Sequence, residues 1–337
     1  MFALKARLGD AENAKNLLVE KGLIDNSYKV KKDSKYIYFP LKKKVSLKGF
    51  EVVEEYFEKQ SRPVAKDLKE LLKERLSGDE FERLKSSYDI VGTIAILEID
   101  EELREKEKVI AEALLESNKT IKTVLRKDAA HGTEFRTQKM KFLAGIDTRE
   151  TIHKESGVSI KLDVENVYFS PRLSTERKRI SEQVKKGESI LVMFSGCAPY
   201  PCVLSKNTEA KEIFGVEINP AGHKYGLENV KLNKIRNVEL INRDVRVEVP
   251  KLKKFDRILM PLPKEAQDFL DVAFQAAMKG TKIHFYQFLH EDNFSEAEKK
   301  AREEAIKHGF KFKFLDLVKC GQHAPRVYRV CLDFEVS

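Results

Sequence analysis

The sequence has no tryptophan and four cysteines in 337 residues. None of Cys197, Cys202, Cys320 and Cys331 forms a pair with two residues between, so a zinc ribbon or a redox Cys-x-x-Cys motif is excluded. Cys197 and Cys202 are close enough in sequence to form a disulfide, but reduced, buried thiols are the expectation. No apolar run reaches the roughly 18 residues of a membrane span, so no membrane partner is expected. The opening residues, MFALKARLGDAENAK, lack the apolar core and cleavage site of a secretory signal, which points to the cytoplasm. The candidate ligand loop has a single glycine, Gly196 in Ser195-Gly196-Cys197-Ala198. That is little for a loop meant to cradle phosphates.

What is present is charge and core. Hydrophobic residues make up 42% and charged residues 35%, a balance that fits a globular chain. Its length predicts two or three domains. Abundant Lys and Glu suit a heat-adapted source. The net charge of +9 favours a polyanionic partner such as nucleic acid; an ordinary basic surface accounts for it equally well.

The chain is organised around Ser189 to Asn219. Ile190 to Phe194 is a short apolar run, followed by the small-residue turn where backbone can approach a ligand. A second apolar run, Ile213 to Ile218, carries Glu217 near its end. In a doubly wound sheet, that acid takes the two ribose hydroxyls of a nucleoside lying over the first strand. Further strands are expected at 238–243, 256–260, 281–288, 312–320 and 327–336. Asn219-Pro220 starts a helix, and Ser295 with Glu298 reads as a capping box ended by Gly309. Seven strands whose last two form an antiparallel hairpin predict an α/β class I methyltransferase sheet, Rossmann-like, with two smaller α+β domains before it. The expected domains are 1–60, 61–165 and 166–337.

Upstream, Asp10 is positioned to cap a helix that stops at Gly22, and Lys35 to Pro40 alternates as a strand. Val64 to Leu76 is an amphipathic helix followed by Gly78. Ser87 to Ile99 reads as strand, bend, strand; Leu103 to Ser117 as helix; Thr123 to Leu125 and Ile160 to Val167 as strands. Pro171 breaks the last of these, and Ser174 or Thr175 is placed to cap a helix holding Glu176, Arg177 and Arg179. This segment is either the entrance to an active site or a surface helix with an exposed Glu176–Arg179 pair.

The strand ends carry the chemistry. Asp244 closes the third strand, where it can accept a hydrogen bond from an adenine amino group; capping a turn is the competing role. Glu217 with Asp244 suits S-adenosylmethionine better than a dinucleotide. Met260-Pro261-Leu262-Pro263 ends the fourth strand in a rigid turn. If a guanine N1–H is the nucleophile, a carboxylate such as Glu176 must take its proton, while Arg136 or Arg172 stabilises charge on O6.

At these residues the chain resembles the archaeal and eukaryotic tRNA guanine-N1 methyltransferases that modify the guanosine 3′ of the anticodon, at position 37. The resemblance runs through Ser86-Ser87-Tyr88-Asp89-Ile90-Val91-Gly92, Glu134-Phe135-Arg136, Leu143-Ala144-Gly145 and Thr151-Ile152-His153-Lys154-Glu155. It is strongest in Val167-Tyr168-Phe169-Ser170-Pro171-Arg172-Leu173 and the following Glu176-Arg177. It implies Glu176 as general base, with Arg136 and Arg172 as catalytic partners. It also implies S-adenosylmethionine held by Phe194, Gly196, Cys197, Pro199, Glu217, Ile218, Asp244, Met260 and Pro261. Tyr168, Arg177 and Pro263 are implied on the substrate side, with the N-terminal domain docking on tRNA and the protein acting as a monomer. The chain departs from the family at Val192, where an acid is usual, at Ala198 for a second glycine, and at Pro261 for an asparagine. An aminocarboxypropyl or other wyosine-pathway transferase, and a non-catalytic tRNA-binding relative, are the other readings.

Overall fold

A computed structural model describes residues 1–25, 27–47, 49–59, 68–84, 88–128, 135–262, 264 and 266–337. The chain divides into two compact units, Met1–Leu71 and Leu72–Ser337.

The first unit is a small sheet with one helix. Strand β1 (Phe2–Arg7) is followed by helix α1 (Ala11–Glu20), then by β2 (Lys31–Lys32), β3 (Tyr36–Pro40) and β4 (Glu51–Glu54), in the sheet order β2-β3-β1-β4. Ala14 and Leu18 of α1 join Leu4 and Phe39 in a core of their own. Gly22 ends α1 at a φ of 62°, as expected. Asp10 precedes the helix, but its side chain makes no capping bond.

Helix α2 (Leu68–Lys73) spans the boundary between the two units and ends the expected 64–76 helix, whose first residues lie outside the described ones. Gly78 does not follow that helix; it begins α3 (Gly78–Glu82), where Ser77 and Glu80 form a capping box. A four-stranded sheet follows, β5 (Tyr88–Val91), β6 (Ile94–Leu97), β7 (Thr123–Lys127) and β8 (Met140–Gly145), with α4 (Glu107–Ser117) as the crossover between β6 and β7. The hairpin β9 (Glu150–Glu155) and β10 (Val158–Asp163) leads to α5 (Ser174–Gln183). Pro171 opens a single 3-10 turn before α5; Leu173 occupies the cap position, and neither Ser174 nor Thr175 caps the helix.

The large sheet contains β11 (Ser189–Met193), β12 (Glu212–Glu217), β13 (Val238–Asn242), β14 (Phe255–Met260), β15 (Ala277–His290), β16 (Phe312–Ala324) and β17 (Val327–Val336). Its order is β13-β12-β11-β14-β15-β17-β16. The first five strands are parallel, and β17 inserts antiparallel between β15 and β16. This is the expected class I methyltransferase sheet. Helices α6 (Pro199–Asn207), α7 (Pro220–Leu232), α8 (Val245–Glu248), α9 (Leu270–Gln275) and α10 (Ser295–Lys307) cover it. Every residue of β11 is buried, because helices cover both faces of a parallel strand. Asn219 caps α7 as expected, accepting from the Ala221 N–H at 3.0 Å. Ser295 lies inside α10, and Glu298 pairs with Arg302 at 2.6 Å, so the expected capping box is not formed.

Strand β11 is the pivot of the sheet, with β12 on one side and β14 on the other. The crevice at the carboxyl ends of these strands is where such folds bind ligands.

Candidate active site

After Met193 the backbone turns sharply. Phe194, Gly196 and Ala198 all adopt left-handed conformations, with φ of 58°, 56° and 62°. Only the middle one is a glycine, so the turn holds strain at two positions. The geometry aims the Gly196 N–H at Glu217 Oε2, 2.6 Å away, while Glu217 Oε1 accepts from the Asn219 N–H at 2.8 Å. Burial pushes the Glu217 carboxyl up, against the pull of these backbone donors. Helix α7 begins close against the turn. A Cβ on Gly222 would lie 3.3 Å from Glu217 Cγ, tighter than a side chain tolerates without movement. Asp244 caps α8, accepting from the Arg246 N–H at 2.8 Å. The capping role and a place in the crevice therefore coexist at Asp244.

These groups line a cavity of about 290 Å³. Phe194, Ile218, Val245 and Phe269 give it an apolar wall. The Phe194 and Phe269 rings meet edge to face at 4.9 Å, and the Arg246 guanidinium lies 3.9 Å from the Phe269 ring centroid. Arg136, Tyr168, Arg177, Pro199 and Pro261 also line the cavity. Arg136, at a φ of 55°, donates to the Lys264 carbonyl at 2.7 Å. A larger groove of about 1120 Å³ adjoins the cavity, sharing Arg136, Tyr168, Phe169 and Ser170 with it.

The structure thus brings Arg136, Tyr168, Arg177, Phe194, Gly196, Pro199, Glu217, Ile218, Asp244 and Pro261 to one cavity. It does not bring the other expected residues there. Cys197 and Met260 are fully buried and pack into the core, Cys197 against apolar residues of β10 and α6, and Met260 with the residues under α9. Neither side chain lines the cavity. All four thiols are free, and burial raises that of Cys202 to about 12. Arg172 lines the groove instead and donates to Asp89 Oδ1 at 2.7 Å. Pro263 lies outside the described residues. Arg177 borders the cavity, but its Nε and Nη2 donors are taken. Its guanidinium clamps Glu155, bonds the Ser170 carbonyl at 3.1 Å and sits over the Phe169 ring. It shapes the wall more than it reaches for a ligand.

Glu176 is the main surprise. It is 5% exposed and lines neither space. Its Oε2 accepts from Arg179 Nε at 2.7 Å; its Oε1 accepts from Arg179 Nη2 at 2.8 Å and from the Tyr286 hydroxyl at 2.6 Å. The Glu176–Arg179 pair anticipated on the surface does form, but inside. Tyr286 in turn accepts from the Tyr200 hydroxyl at 3.0 Å, and Tyr200 is a wall residue of the cavity. Two hydroxyls therefore connect the cavity wall to Glu176.

Sequence reasoning missed Tyr200, Arg243, Arg246 and Phe269. Tyr200 was readable as the residue after the turn's Pro199. Phe269 and Arg246 carry no local signal, since only the fold makes them neighbours.

An apolar wall for a purine, an acid at the end of β12 for a ribose diol and a second acid at β13 are the groups that S-adenosylmethionine requires, so the cavity fits that cofactor. Comparison with known proteins agrees. The family model for the TRM5/TYW2 methyltransferase domain matches residues 151–313, that for the TYW2 N-terminal domain 68–148, and that for the tRNA methyltransferase 5 N-terminal domain 3–49. The chain is 40% identical over 338 residues to the tRNA (guanine(37)-N(1))-methyltransferase Trm5b of Pyrococcus abyssi, covering 100% of this chain and 99% of the relative. A crystal structure of Trm5b from that organism superposes with a TM-score of 0.75 at 39% identity, covering 100% and 99% of the two chains. A complex of an archaeal Trm5 with tRNALeu superposes at 0.72, with 30% identity and 100% of both chains covered. Methanocaldococcus jannaschii Trm5 in complex with adenosine superposes at 0.68, with 30% identity over 100% and 99%.

Proposed function

The chain belongs to the TRM5/TYW2 methyltransferase family, and on that premise we propose that it transfers a methyl group from S-adenosylmethionine to N1 of the tRNA guanosine 3′ of the anticodon, at position 37. The observation that carries the reading is the cavity itself, where Glu217, Asp244, Arg136 and Tyr168 line one space at the switch point of a methyltransferase sheet.

When bound, the cofactor supplies a methyl group on a sulfonium, ready for in-line attack. Glu217 holds the ribose hydroxyls, Asp244 the adenine amino group, and Phe194, Ile218 and Phe269 the faces of the ring. Gly196 and Pro199 bring backbone close, and Pro261 fixes the turn beside the target base. Arg136, on the cavity wall and bonded to the Lys264 carbonyl, stabilises charge on the guanine O6. We infer that Glu176 takes the N1 proton. Two things support this assignment: Glu176 sits between the wall residues Leu173 and Arg177 on the same helical segment, and the Tyr286–Tyr200 hydroxyls connect it to the cavity. Arg172 acts from the groove, where the anticodon loop approaches. Residues 1–60 serve as the tRNA-docking module, 61–165 as the middle domain and 166–337 as the catalytic domain, in a cytoplasmic monomer.

Methyl incorporation into an unmodified tRNA transcript tests the activity. The expected product is a methylated guanosine at position 37, and a transcript with adenosine there should not react. An added aminocarboxypropyl group, seen as a different mass, would overturn the reading.

A further inference from the structure

Behind the cavity, a chain of buried polar groups runs from helix α5 across the terminal hairpin. Arg179 is shared by two carboxylates. It bonds Glu176 as described, and its Nη1 donates to Asp333 Oδ2 at 2.6 Å. Asp333, 2% exposed on β17, also accepts from Gln183 Nε2 at 3.2 Å, from Cys331 Sγ at 3.1 Å and from His284 Nδ1 at 2.7 Å. His284 Nε2 lies 2.7 Å from Arg257 Nη1. An arginine nitrogen only donates, so Nε2 accepts, the ring proton sits on Nδ1, and His284 is neutral. Burial favours the same neutral state. Arg257 is matched by Glu188, whose two oxygens lie 2.7 and 3.1 Å from its donors.

The charge balance follows. Glu188 faces two cations, Arg257 and, at 3.9 Å, the partly exposed Lys282, and His284 adds no charge. Glu176 and Asp333 share one cation, Arg179, among the described residues. The trio therefore carries one negative charge in excess, deep enough for that excess to matter. Burial raises the Asp333 carboxyl, but His284 and Arg179 outweigh it and hold the group well below the usual carboxylate range. Asp333 thus stays ionised. The other groups facing Glu176 are neutral: Tyr286 on β15, Tyr200 on α6, Cys320 on β16 and Cys331 on β17, with their hydroxyls and thiols pushed up by burial.

We propose that Asp333 is a positioning residue for the transfer, acting through Arg179 to let Glu176 accept the guanine N1 proton. This rests on the reading of Glu176 as the acceptor. In that step the N1–H bond breaks, its electron pair stays on nitrogen, and the proton goes to a Glu176 oxygen. Glu176 becomes neutral and its hold on Arg179 weakens. Without Asp333, a buried guanidinium would be left with no counter-ion, which is strongly unfavourable. With Asp333, Arg179 stays paired before and after. Glu176 is also free to turn towards the cavity without stranding Arg179.

The test uses the full-length protein in single-turnover methyl transfer to an unmodified tRNA transcript, from about pH 4.5 to about pH 9. Asp333→Asn should slow the plateau rate roughly tenfold or more and move its acid limb to lower pH, because Glu176 becomes a weaker base. Affinities for S-adenosylmethionine and tRNA, read by calorimetry, should not change, and Asp333→Glu should restore part of the rate. Arg179→Lys, which keeps the charge but loses the two-pronged fork, should slow the same step and serves if the Asn variant folds poorly. Wild-type rate and pH profile in both variants, with Glu176→Gln inactive, overturn the inference. So does slowing with an unshifted profile and a lowered melting temperature, which marks a purely structural tie. Full activity in Glu176→Gln instead removes the acceptor reading, and this inference with it.

Discussion

At the scale of single residues, the site depends on a strained turn and the acid it faces. Glu217 makes two backbone hydrogen bonds and has lone pairs left for a ribose diol. Glu217→Gln keeps the shape and removes the charge. A hydrogen bond to a charged group is worth about 1.5–3 kcal/mol, so cofactor affinity measured by calorimetry should fall roughly 10- to 100-fold. Ala198 stands in the left-handed region where the resembling family carries glycine. Its methyl is nonetheless buried in a core cluster. Relief of backbone strain in Ala198→Gly is worth about 1 kcal/mol, and loss of the buried methyl costs about the same. The melting temperature should therefore barely move. Ala198→Val places a branched side chain at the same φ and should destabilise by more than about 2 kcal/mol, read by denaturant unfolding. The alanine is thus a tolerated departure and does not mark a dead pocket.

At the scale of elements, the sequence was legible where burial wrote a simple pattern. Ile190 to Met193 and Ile213 to Val216 are continuous apolar runs because parallel strands are covered on both faces, and all seven strands of the sheet were expected. Strands β8 and β9, Met140 to Gly145 and Glu150 to Glu155, were missed. Exposed charged residues, Lys141 in β8 and Glu150 and Lys154 in β9, dilute the signal. Helix caps were legible only where the side chain alone decides, as at Asn219; at Ser174 and Ser295 the backbone entered the helix one residue early. The burial of Glu176 was not legible, because Tyr286, which bonds it, and Asp333, which bonds its partner Arg179, come from the distant strands β15 and β17. The hairpin's tie to α5 makes stability depend on acid. Asp333 titrates below its unfolded value, so its contribution is complete above about pH 4 and is lost as the pH falls further. Chemical denaturation below about pH 4 should show wild-type stability falling more steeply than that of Asp333→Asn.

At the scale of the whole molecule, recognition and chemistry separate along the chain. Among the described residues, those lining the cavity run from Phe135 to Phe269, all in the second unit. The first unit has its own sheet and its own core around Leu4, Leu18 and Phe39. A protein lacking residues 1–59 should therefore bind S-adenosylmethionine with the affinity of the full chain, within about twofold, or about 0.4 kcal/mol. Its affinity for tRNA should drop, because the docking module and its share of the phosphate contacts are gone. The net charge of +9 gives a second readout. If the full chain neutralises several phosphates, log affinity for tRNA should fall linearly with log salt, with a slope of roughly −0.7 to −0.9 per contact. The shortened protein should show a shallower slope, and its cofactor affinity should stay flat with salt. Equal slopes in the two proteins would assign the phosphate contacts to the groove beside Arg172 and leave the N-terminal unit without a part in docking.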